Sequence, residues 1–307
     1  MMSDEQPISW FDKLWPRLAV ASGVGYLAVS YGVSRWLTRR SPAKIELPGD
    51  LPHCTIEPLE CRTTDGITLK GWHIAPPRPR ATIALFHGMR LNRTHTLDRI
   101  AFLTEAGYRC IAFDHRAHGE SGGRVCTFGF RESNDVVAVF DLIRSRWPDE
   151  PRAAVGVSMG AASICMASRI ARGFDALVLE SVYANLARAF EQRIGSGFPH
   201  WFHHFRNGIV WFSEYRLGAL IEQVSPLAHV AQFAPRHVLF VTGSDDPHAP
   251  PQEVRSLALQ LPNTSRFHVI PGAGHDNVCA QGGPDYRDLL LSFLDENLFH
   301  LQNRRAA

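Results

Sequence analysis

The sequence contains few cysteines, and their spacing excludes two kinds of site. Among 307 residues there are six cysteines, and no two of them form a C-x-x-C pair. Such pairs are typical of structural zinc sites, and disulfide frameworks belong to short secreted chains. The histidines at positions 200, 203 and 204 have no acidic or cysteine residue beside them. We therefore expect no metal and no other cofactor.

The chain also lacks a dense block of basic residues. Its 32 basic and 30 acidic residues are spread along the sequence and leave a net charge of +2. Proteins that bind nucleic acid normally carry clustered lysine and arginine, so nucleic acid is not an expected partner. With 45% apolar residues, the chain has the composition of a globular protein that buries a sizeable core.

One long stretch lacks charge altogether. Seventeen residues pass between Leu18 and Ser34, LAVASGVGYLAVSYGVS, with Trp15 before them and Trp36 after them. This is the lower limit for a membrane-spanning helix, and tryptophans at both ends are typical of the membrane interface. We predict that residues 1–50 form a single-pass membrane anchor and a linker. More basic residues follow the run than precede it, which places the remaining chain on the cytoplasmic side.

Two other interpretations of this stretch stay open. Ser22, Gly23, Gly25 and Ser30 make it only moderately apolar, so it is also compatible with a helix that packs on the domain or lies on a membrane surface. A cleaved signal peptide is the third possibility, although no clear small-x-small cleavage site follows.

Beyond residue 50, short apolar runs alternate with segments of helical periodicity. Eight runs have the length of strands: IEPLECRT, ITLKGWHI, ATIALFHG, RCIAFDHR, RAAVGVS, DALVLES, RHVLFVTG and RFHVIPG. Nearly continuous apolar strands alternating with helices predict an α/β fold with a mostly parallel sheet covered on both faces. The first two runs are separated by a turn signal and predict an antiparallel hairpin at the edge.

A segment of more than fifty residues, 181–235, interrupts this alternation. It has no strand pattern and is rich in aromatic residues. Helical spacing places five apolar side chains on one stripe: Phe198, Phe202, Phe205, Ile209 and Phe212. An insertion after a strand of an α/β sheet commonly covers the crevice at the strand ends. We predict a helical lid, part of whose stripe packs the insertion onto the domain.

The pentapeptide GVSMG, residues 156–160, follows an apolar strand and opens a helix. It fits the pattern G-x-S-x-G, in which a sharp turn projects the serine hydroxyl above the sheet. Gly156 and Gly160 remove the Cβ atoms that would clash in such a turn. Ser158 is therefore a candidate nucleophile, and the amide of Met159 is placed to stabilise an oxyanion.

A serine hydroxyl becomes a good nucleophile only when a base removes its proton, and an acidic residue usually orients that base. Candidates for both follow Ser158 in the expected order along the chain. One late strand ends at Gly243 and is followed by Asp245 and Asp246, and the next strand is followed by His275. We assign His275 as the base and one of the two aspartates as the acid. The other histidines, among them His248 and His268, are interpreted as surface or structural residues.

These motifs resemble the α/β-hydrolase superfamily, in particular its membrane-anchored α/β-hydrolase-domain branch near the monoacylglycerol lipases and serine aminopeptidases. The resemblance extends from about Ile56 to the end of the chain. The family pattern G-x-x-D-x-x-x-P fits Gly243, Asp246 and Pro250, which implies Asp246 as the acid and leaves Asp245 as the alternative. The GAGH sequence that ends at His275 matches the family's histidine loop.

The same resemblance implies a second oxyanion donor and a bracing loop. In the family a strand ends in His-Gly, here in FHGMR, which assigns the second donor to the amide of Met89 and a close approach to Gly88. The stretch DHRAHGESGG resembles the family's D-x-R-G-x-G-x-S loop, with Ala117 where the family usually has glycine. Asp114 and Arg116 of this loop are interpreted as structural ion-pair partners.

Together these features predict a catalytic domain over residues 51–307, with a lid insertion at about 181–235. We expect a serine hydrolase that cleaves esters or thioesters with apolar, lipid-like acyl groups at the membrane. A serine peptidase for small peptides is the alternative, in which Glu214 or Glu222 would bind the substrate amine. A non-catalytic, membrane-tethered binding module is a further alternative, although such proteins usually lose a member of the triad.

Overall fold

Eight strands form the central sheet, and each overlaps one of the apolar runs singled out in the sequence. The structure, a computed structural model, describes the backbone of residues 10–49, 51–197 and 200–305, and the side chains of these residues except 10–13, 16, 193–197, 200, 201 and 300–305. The strands are β1 Thr55–Arg62, β2 Thr68–Ala75, β3 Thr82–Phe86, β4 Arg109–Phe113, β5 Arg152–Val157, β6 Ala176–Glu180, β7 His237–Gly243 and β8 Ser265–Ile270.

The strands are arranged in the order β8-β7-β6-β5-β3-β4-β2-β1. Strands β3 to β8 pair in parallel, and β2 runs antiparallel to both of its neighbours, β1 and β4. The prediction of a mostly parallel sheet with an antiparallel N-terminal hairpin at its edge is confirmed. Because the carboxyl ends of parallel strands lie along one edge, the loops after β3, β5, β7 and β8 meet there.

Helices cover both faces of the sheet because alternate side chains of each strand point to opposite faces. The helices are α1 Trp10–Leu37, α2 Leu97–Glu105, α3 Ser133–Arg146, α4 Met159–Met166, α5 Ser168–Ala171, α6 Leu186–Gly197, α7 Arg206–Leu217, α8 Pro226–His229, α9 Pro251–Ala258 and α10 Val278–Arg305. Phe86 of β3 belongs to the core under α3, α4 and α9. Leu85 belongs to the opposite core, under α2 and α10.

The insertion and the N-terminal helix together form a further layer. Within residues 181–197 and 200–235 the structure contains helices and no strand, as the sequence predicts. Phe202 and Ile209 of the predicted stripe are buried in one cluster with Leu37 of α1. Phe205 stacks on Tyr26 of α1 with ring centroids 5.3 Å apart. The stripe therefore packs against α1; its first member, Phe198, lies outside the described residues.

Helix α1 lies along α7 and is held there by polar as well as apolar contacts. The amide of Gly208 donates to the Tyr26 hydroxyl at 3.0 Å, and the hydroxyls of Ser34 and Ser213 are 3.1 Å apart. No helix among the described residues is both long and apolar enough to cross a membrane. The prediction of a membrane-spanning anchor is therefore not supported, because the serines and glycines of this run lower its hydropathy.

Candidate active site

Ser158 occupies the tight turn between β5 and α4. Its backbone has φ 51° and ψ −111°, a region that residues with a Cβ rarely adopt and that stores strain. A Cβ at Gly156 would lie 2.6 Å from the amide nitrogen of Ala161, and one at Gly160 would lie 2.3 Å from the carbonyl oxygen of Phe86. Any side chain at either glycine would displace neighbouring backbone, so both glycines are needed for this turn.

The loop after β7 supplies an aspartate and the loop after β8 supplies a histidine, and both lie near Ser158. The Oγ atom of Ser158 lies 2.8 Å from Nε2 of His275. On the other side of the ring, Nδ1 of His275 lies 2.9 Å from each carboxylate oxygen of Asp246. The three side chains therefore form one continuous hydrogen-bonded line. In this arrangement the imidazole can accept the serine proton while the carboxylate holds its tautomer.

Asp246 is buried but well supplied with donors. Its Oδ1 accepts hydrogen bonds from the amides of His248 and Ala249, at 2.8 and 2.9 Å. Burial alone would raise the pKa of this carboxyl group, but the hydrogen bond and charge of His275 and the two amides outweigh burial and lower the pKa. Asp246 is thus held as a carboxylate beside the imidazole.

The alternative acid, Asp245, points elsewhere. Its carboxylate is exposed and accepts a hydrogen bond from the hydroxyl of Ser244 at 2.8 Å, while its amide donates to the carbonyl of Ala273 at 2.9 Å. Asp245 thus belongs to the turn after β7, and Asp246 is the aspartate that reaches His275. Sequence spacing alone left both open, because adjacent residues in a turn differ only in orientation.

The two predicted oxyanion donors flank Ser158. Met159 is the first residue of α4, so its amide has no acceptor within the helix. Met89 follows β3 and lines the same cavity as Ser158 and Met159. A Cβ at Gly88 would lie 3.6 Å from that of Ser158, so this loop passes close to the nucleophile.

A buried histidine of the FHGMR motif, one of those interpreted as surface or structural residues, supports the Met89 loop. Nε2 of His87 accepts a hydrogen bond from the amide of His115 at 3.0 Å, and Nδ1 lies 2.7 Å from the carbonyl oxygen of Gly88. Because Nε2 is an acceptor, the proton is on Nδ1 and is donated to that carbonyl. Burial, together with the nearby rings of His115 and His118, lowers the pKa of His87 well below its ordinary value. A neutral His87 therefore fixes the orientation of the Gly88 carbonyl.

Ser158 opens into a small cavity of about 50 Å³. Eight of its eleven lining residues are apolar or aromatic, so a bound group would meet a largely apolar wall. They are Leu37, Met89, Phe128, Met159, Tyr183, Leu186, Ala189 and Phe190, and the others are Ser158, His248 and His275. The wall residues of α1 and α6 were not predicted, because a cavity wall requires only apolar character and such residues form no sequence motif.

His248, interpreted from the sequence as a surface or structural residue, lies half-buried beside the triad. Its ring meets that of His275 edge to face, with centroids 5.2 Å apart, and it lines the cavity. The residue lies two positions after Asp246 in the turn that supplies the acid, which brings it to the mouth of the site. His268, by contrast, lies exposed on β8, as expected.

A buried ion pair lies beneath the nucleophile. Arg99 of α2 donates to Glu180 at the end of β6 at 2.9 Å and to the hydroxyl of Tyr286 at 3.1 Å. The carbonyl of Glu180 accepts the amide of Ser158 at 2.8 Å. Burial alone would lower the pKa of Arg99, but the charge of Glu180 raises it. The cluster thus ties α2, β6 and α10 to the backbone of Ser158.

The bracing loop after β4 also forms ion pairs. Asp114 pairs with Arg93, and Arg116 pairs with Asp135 at 2.8 Å and with Asp65 at 2.6 Å. Ala117, where the resemblance expects glycine, has φ 60°. The backbone therefore keeps the left-handed conformation that glycine adopts readily, with an alanine in it.

Comparisons with known proteins find matches to parts of this chain. The family model described as serine aminopeptidase, S33, matches residues 77–211. The uncharacterized protein YqkD of Bacillus subtilis is 25% identical over 237 residues, which span 75% of this chain and 76% of YqkD. The lysophosphatidylserine lipase ABHD12 of Mus musculus is 31% identical over 115 residues, 34% of this chain and 28% of that protein.

A solved structure shows the same fold. The Pyrococcus furiosus esterase Pf2001 superposes with a TM-score of 0.69 at 22% identity, and the match covers 85% of this chain and 98% of the esterase. At this level of identity the likeness concerns the fold.

Proposed function

Since the chain belongs to the α/β-hydrolase superfamily, we propose that it is a serine hydrolase for carboxylic esters or thioesters with apolar acyl groups. The observation that carries the proposal is the hydrogen-bonded line from Asp246 through His275 to Ser158, which opens into an apolar cavity. An ester of this kind has an electrophilic carbonyl next to an apolar chain. The site is complementary to it, because the Ser158 hydroxyl lies next to an apolar wall.

In the proposed reaction Ser158 attacks the acyl carbonyl while its proton passes to Nε2 of His275. Asp246 orients the imidazole and stabilises its positive charge, and the amides of Met89 and Met159 donate to the oxyanion. The imidazolium then protonates the leaving alcohol or thiol, which leaves an acyl group on Ser158. A water molecule, deprotonated by the same imidazole, attacks this acyl-enzyme and restores the serine.

We further propose that residues 51–307 act as the catalytic domain and 181–235 as its lid. A cavity of about 50 Å³ is far smaller than the pockets of roughly 300–1,000 Å³ that hold drug-sized ligands. A long acyl chain therefore needs wall residues to move apart. Leu186 and Phe190 of α6 close the cavity on the lid side, so movement of α6 would enlarge it without disturbing the sheet.

A peptidase for small peptides is the second candidate, favoured by the description of the matching family model. An aminopeptidase needs an anionic group for the substrate amine. A carboxylate oxygen of Glu214 accepts the amide of Ile221 at 3.1 Å, and among the described residues neither Glu214 nor Glu222 lines the cavity. The site therefore favours the ester.

A substrate series separates these candidates. The purified full chain is given p-nitrophenyl esters from acetyl to decanoyl and, in parallel, amino-acid p-nitroanilides, with Ser158→Ala as the background control. We expect kcat/KM to rise from acetyl to medium-length esters and anilide cleavage to stay at background. A preference for acetyl over decanoyl esters contradicts the apolar acyl site, and faster turnover of the anilides establishes the peptidase.

A further inference from the structure

The outer surface of α1 carries most of the large apolar side chains that are exposed among the described residues. Among the described residues, fifteen large apolar side chains are exposed, and nine of them belong to this one helix. They are Leu14, Trp15, Leu18, Val20, Val24, Leu27, Val29, Tyr31 and Trp36. Trp211 and Tyr215 of the adjacent α7 are 59% and 79% exposed. We call these eleven residues the apolar face.

Contacts within the chain leave this face exposed, although the Tyr31 ring meets that of Phe212 edge to face at 5.4 Å and Arg90 stacks on Trp36. The side of α1 that meets α7 carries Tyr26, Ser30, Ser34 and Leu37, at the spacing of three and four residues that defines one side of a helix. The nine residues of the apolar face that belong to α1 lie on the remaining surface of this helix. Extended apolar patches of this kind mark contacts with a partner or a membrane.

A basic cavity adjoins the apolar face. It has a volume of about 490 Å³ and is lined by Gly32, Trp36 and five arginines, Arg35, Arg39, Arg40, Arg124 and Arg216. Within the part of the chain that the structure describes, none of these arginines pairs with a carboxylate, whereas arginines elsewhere do so repeatedly. Five guanidinium groups around one cavity repel each other, so anions are favoured there.

We propose that the apolar face lies on an anionic phospholipid bilayer and that the arginine cavity binds the phosphate groups of its lipids. A helix with an apolar surface and adjoining basic residues is the arrangement that proteins use at membrane interfaces, where exposed tryptophans are also favoured. Charge complementarity selects this occupant. An anionic bilayer supplies phosphate groups that neutralise the five arginines and an apolar interior that the adjoining face can contact.

The proposed docking surface adjoins the active site. Leu37 lines the cavity of Ser158, and the preceding residue, Trp36, lines the arginine cavity. Arg90, next to the proposed oxyanion residue Met89, stacks on the Trp36 ring at 3.8 Å and donates to its carbonyl at 3.0 Å. A docked bilayer would thus adjoin the catalytic cavity. This last link rests on the proposed function, whereas the docking itself does not.

Vesicle flotation of the full chain tests the proposal, with phosphatidylcholine vesicles prepared with and without phosphatidylglycerol. We compare Arg35→Glu/Arg124→Glu with the control pair Arg78→Glu/Arg255→Glu, which reverses two exposed charges away from the cavity. We likewise compare Val24→Ser/Leu27→Ser with Ile170→Ser/Leu259→Ser, which changes two exposed apolar residues elsewhere. All of these side chains lie at the surface, so the variants are expected to fold.

We expect binding to the anionic vesicles, weakened by salt, and a loss of at least about tenfold in partitioning for the cavity and face variants, with no change for either control pair. Hydrolysis of a water-soluble short ester without vesicles is expected to stay unchanged in all four variants. Equal binding to neutral vesicles, or no binding to either kind, overturns the proposal. So does self-association that the face variant abolishes, because a second copy would then cover the face.

Discussion

The central strands and helix α1 differ in how far their apolar side chains are buried. Every residue of β3, β4, β5 and β6 is buried, whereas α1 exposes nine large apolar residues. Fully burying one such side chain contributes about 1.5–3 kcal/mol to folding, and α1 forgoes most of this. Packing therefore explains the sheet but not the outer helix. From this difference we conclude that the sheet positions the site, whereas the exposed residues of α1 are available for the proposed contact with a bilayer.

The largest effect is expected at the sheet edge, from a single oxygen-to-nitrogen exchange. Asp246→Asn removes the acceptor that fixes the tautomer of His275, and we expect kcat for ester hydrolysis to fall by about ten thousandfold. Asp245→Asn changes the adjacent, exposed carboxylate and is expected to change kcat less than about twofold. Steady-state kinetics on both purified variants, with circular dichroism to verify folding, gives the comparison. Equal losses in the two variants would refute the assignment of the acid.

The next largest effect concerns the ion pair beneath Ser158. Glu180→Gln leaves the guanidinium of Arg99 buried without its counter-charge, and we expect the free energy of unfolding to fall by about 3–5 kcal/mol. The matched control is Asp141→Asn, because the Asp141–Arg144 pair is exposed and should contribute less than about 1 kcal/mol. Urea denaturation measures both. Similar values for the two variants would show that burial makes no difference at this place.

The dependence of stability on pH tests whether Asp246 stabilises the fold as a carboxylate. The pKa of Asp246 in the folded protein is below its ordinary value of 3.8, since the bonds from His275 and two amides outweigh burial. The carboxylate therefore stabilises the fold above about pH 4, and this contribution disappears as the pH falls through the folded pKa. We expect the stability difference between wild type and Asp246→Asn to shrink below pH 3.8. A difference that grows on acidification contradicts the sign of this shift.

The smallest effect is expected in the bracing loop. Ala117→Gly removes a buried methyl group but relieves the left-handed strain at φ 60°, which is worth about 1–2 kcal/mol. Ala112→Gly, in the extended strand β4, removes a buried methyl group with no such relief. We expect Ala117→Gly to be less destabilising than Ala112→Gly by about 1 kcal/mol, as measured by thermal unfolding. Equal losses would mean that Ala117 carries no strain.

The sheet could be predicted from the sequence because the patterns that indicate its strands and turns lie within short, continuous segments. Each buried strand forms a short apolar run, and the GVSMG turn combines a strand end with two glycines whose missing side chains leave room for neighbouring backbone. The order of Ser158, Asp246 and His275 along the chain follows from the placement of loops at one edge of the sheet.

The apolar layer could not be predicted in the same way, because its contacts join distant parts of the chain. A serine-rich and glycine-rich apolar helix is equally compatible with a bilayer and with a groove on α7. Contacts such as those between the Ser34 and Ser213 hydroxyls and between the Tyr26 and Phe205 rings identify the neighbour of α1. Orientation was the other missing information, because nothing in the local sequence of His248 shows that its ring contacts that of His275.

The most direct test of the proposed nucleophile is labelling by a fluorophosphonate, which reacts covalently with activated serines. Wild type, Ser158→Ala and His275→Ala are compared, with Ser163→Ala as a control that removes a serine hydroxyl from the same helix region. We predict that wild type and Ser163→Ala label at Ser158 and that the other two variants do not. Labelling that persists in folded Ser158→Ala, or a folded wild type that fails to label, would contradict the account.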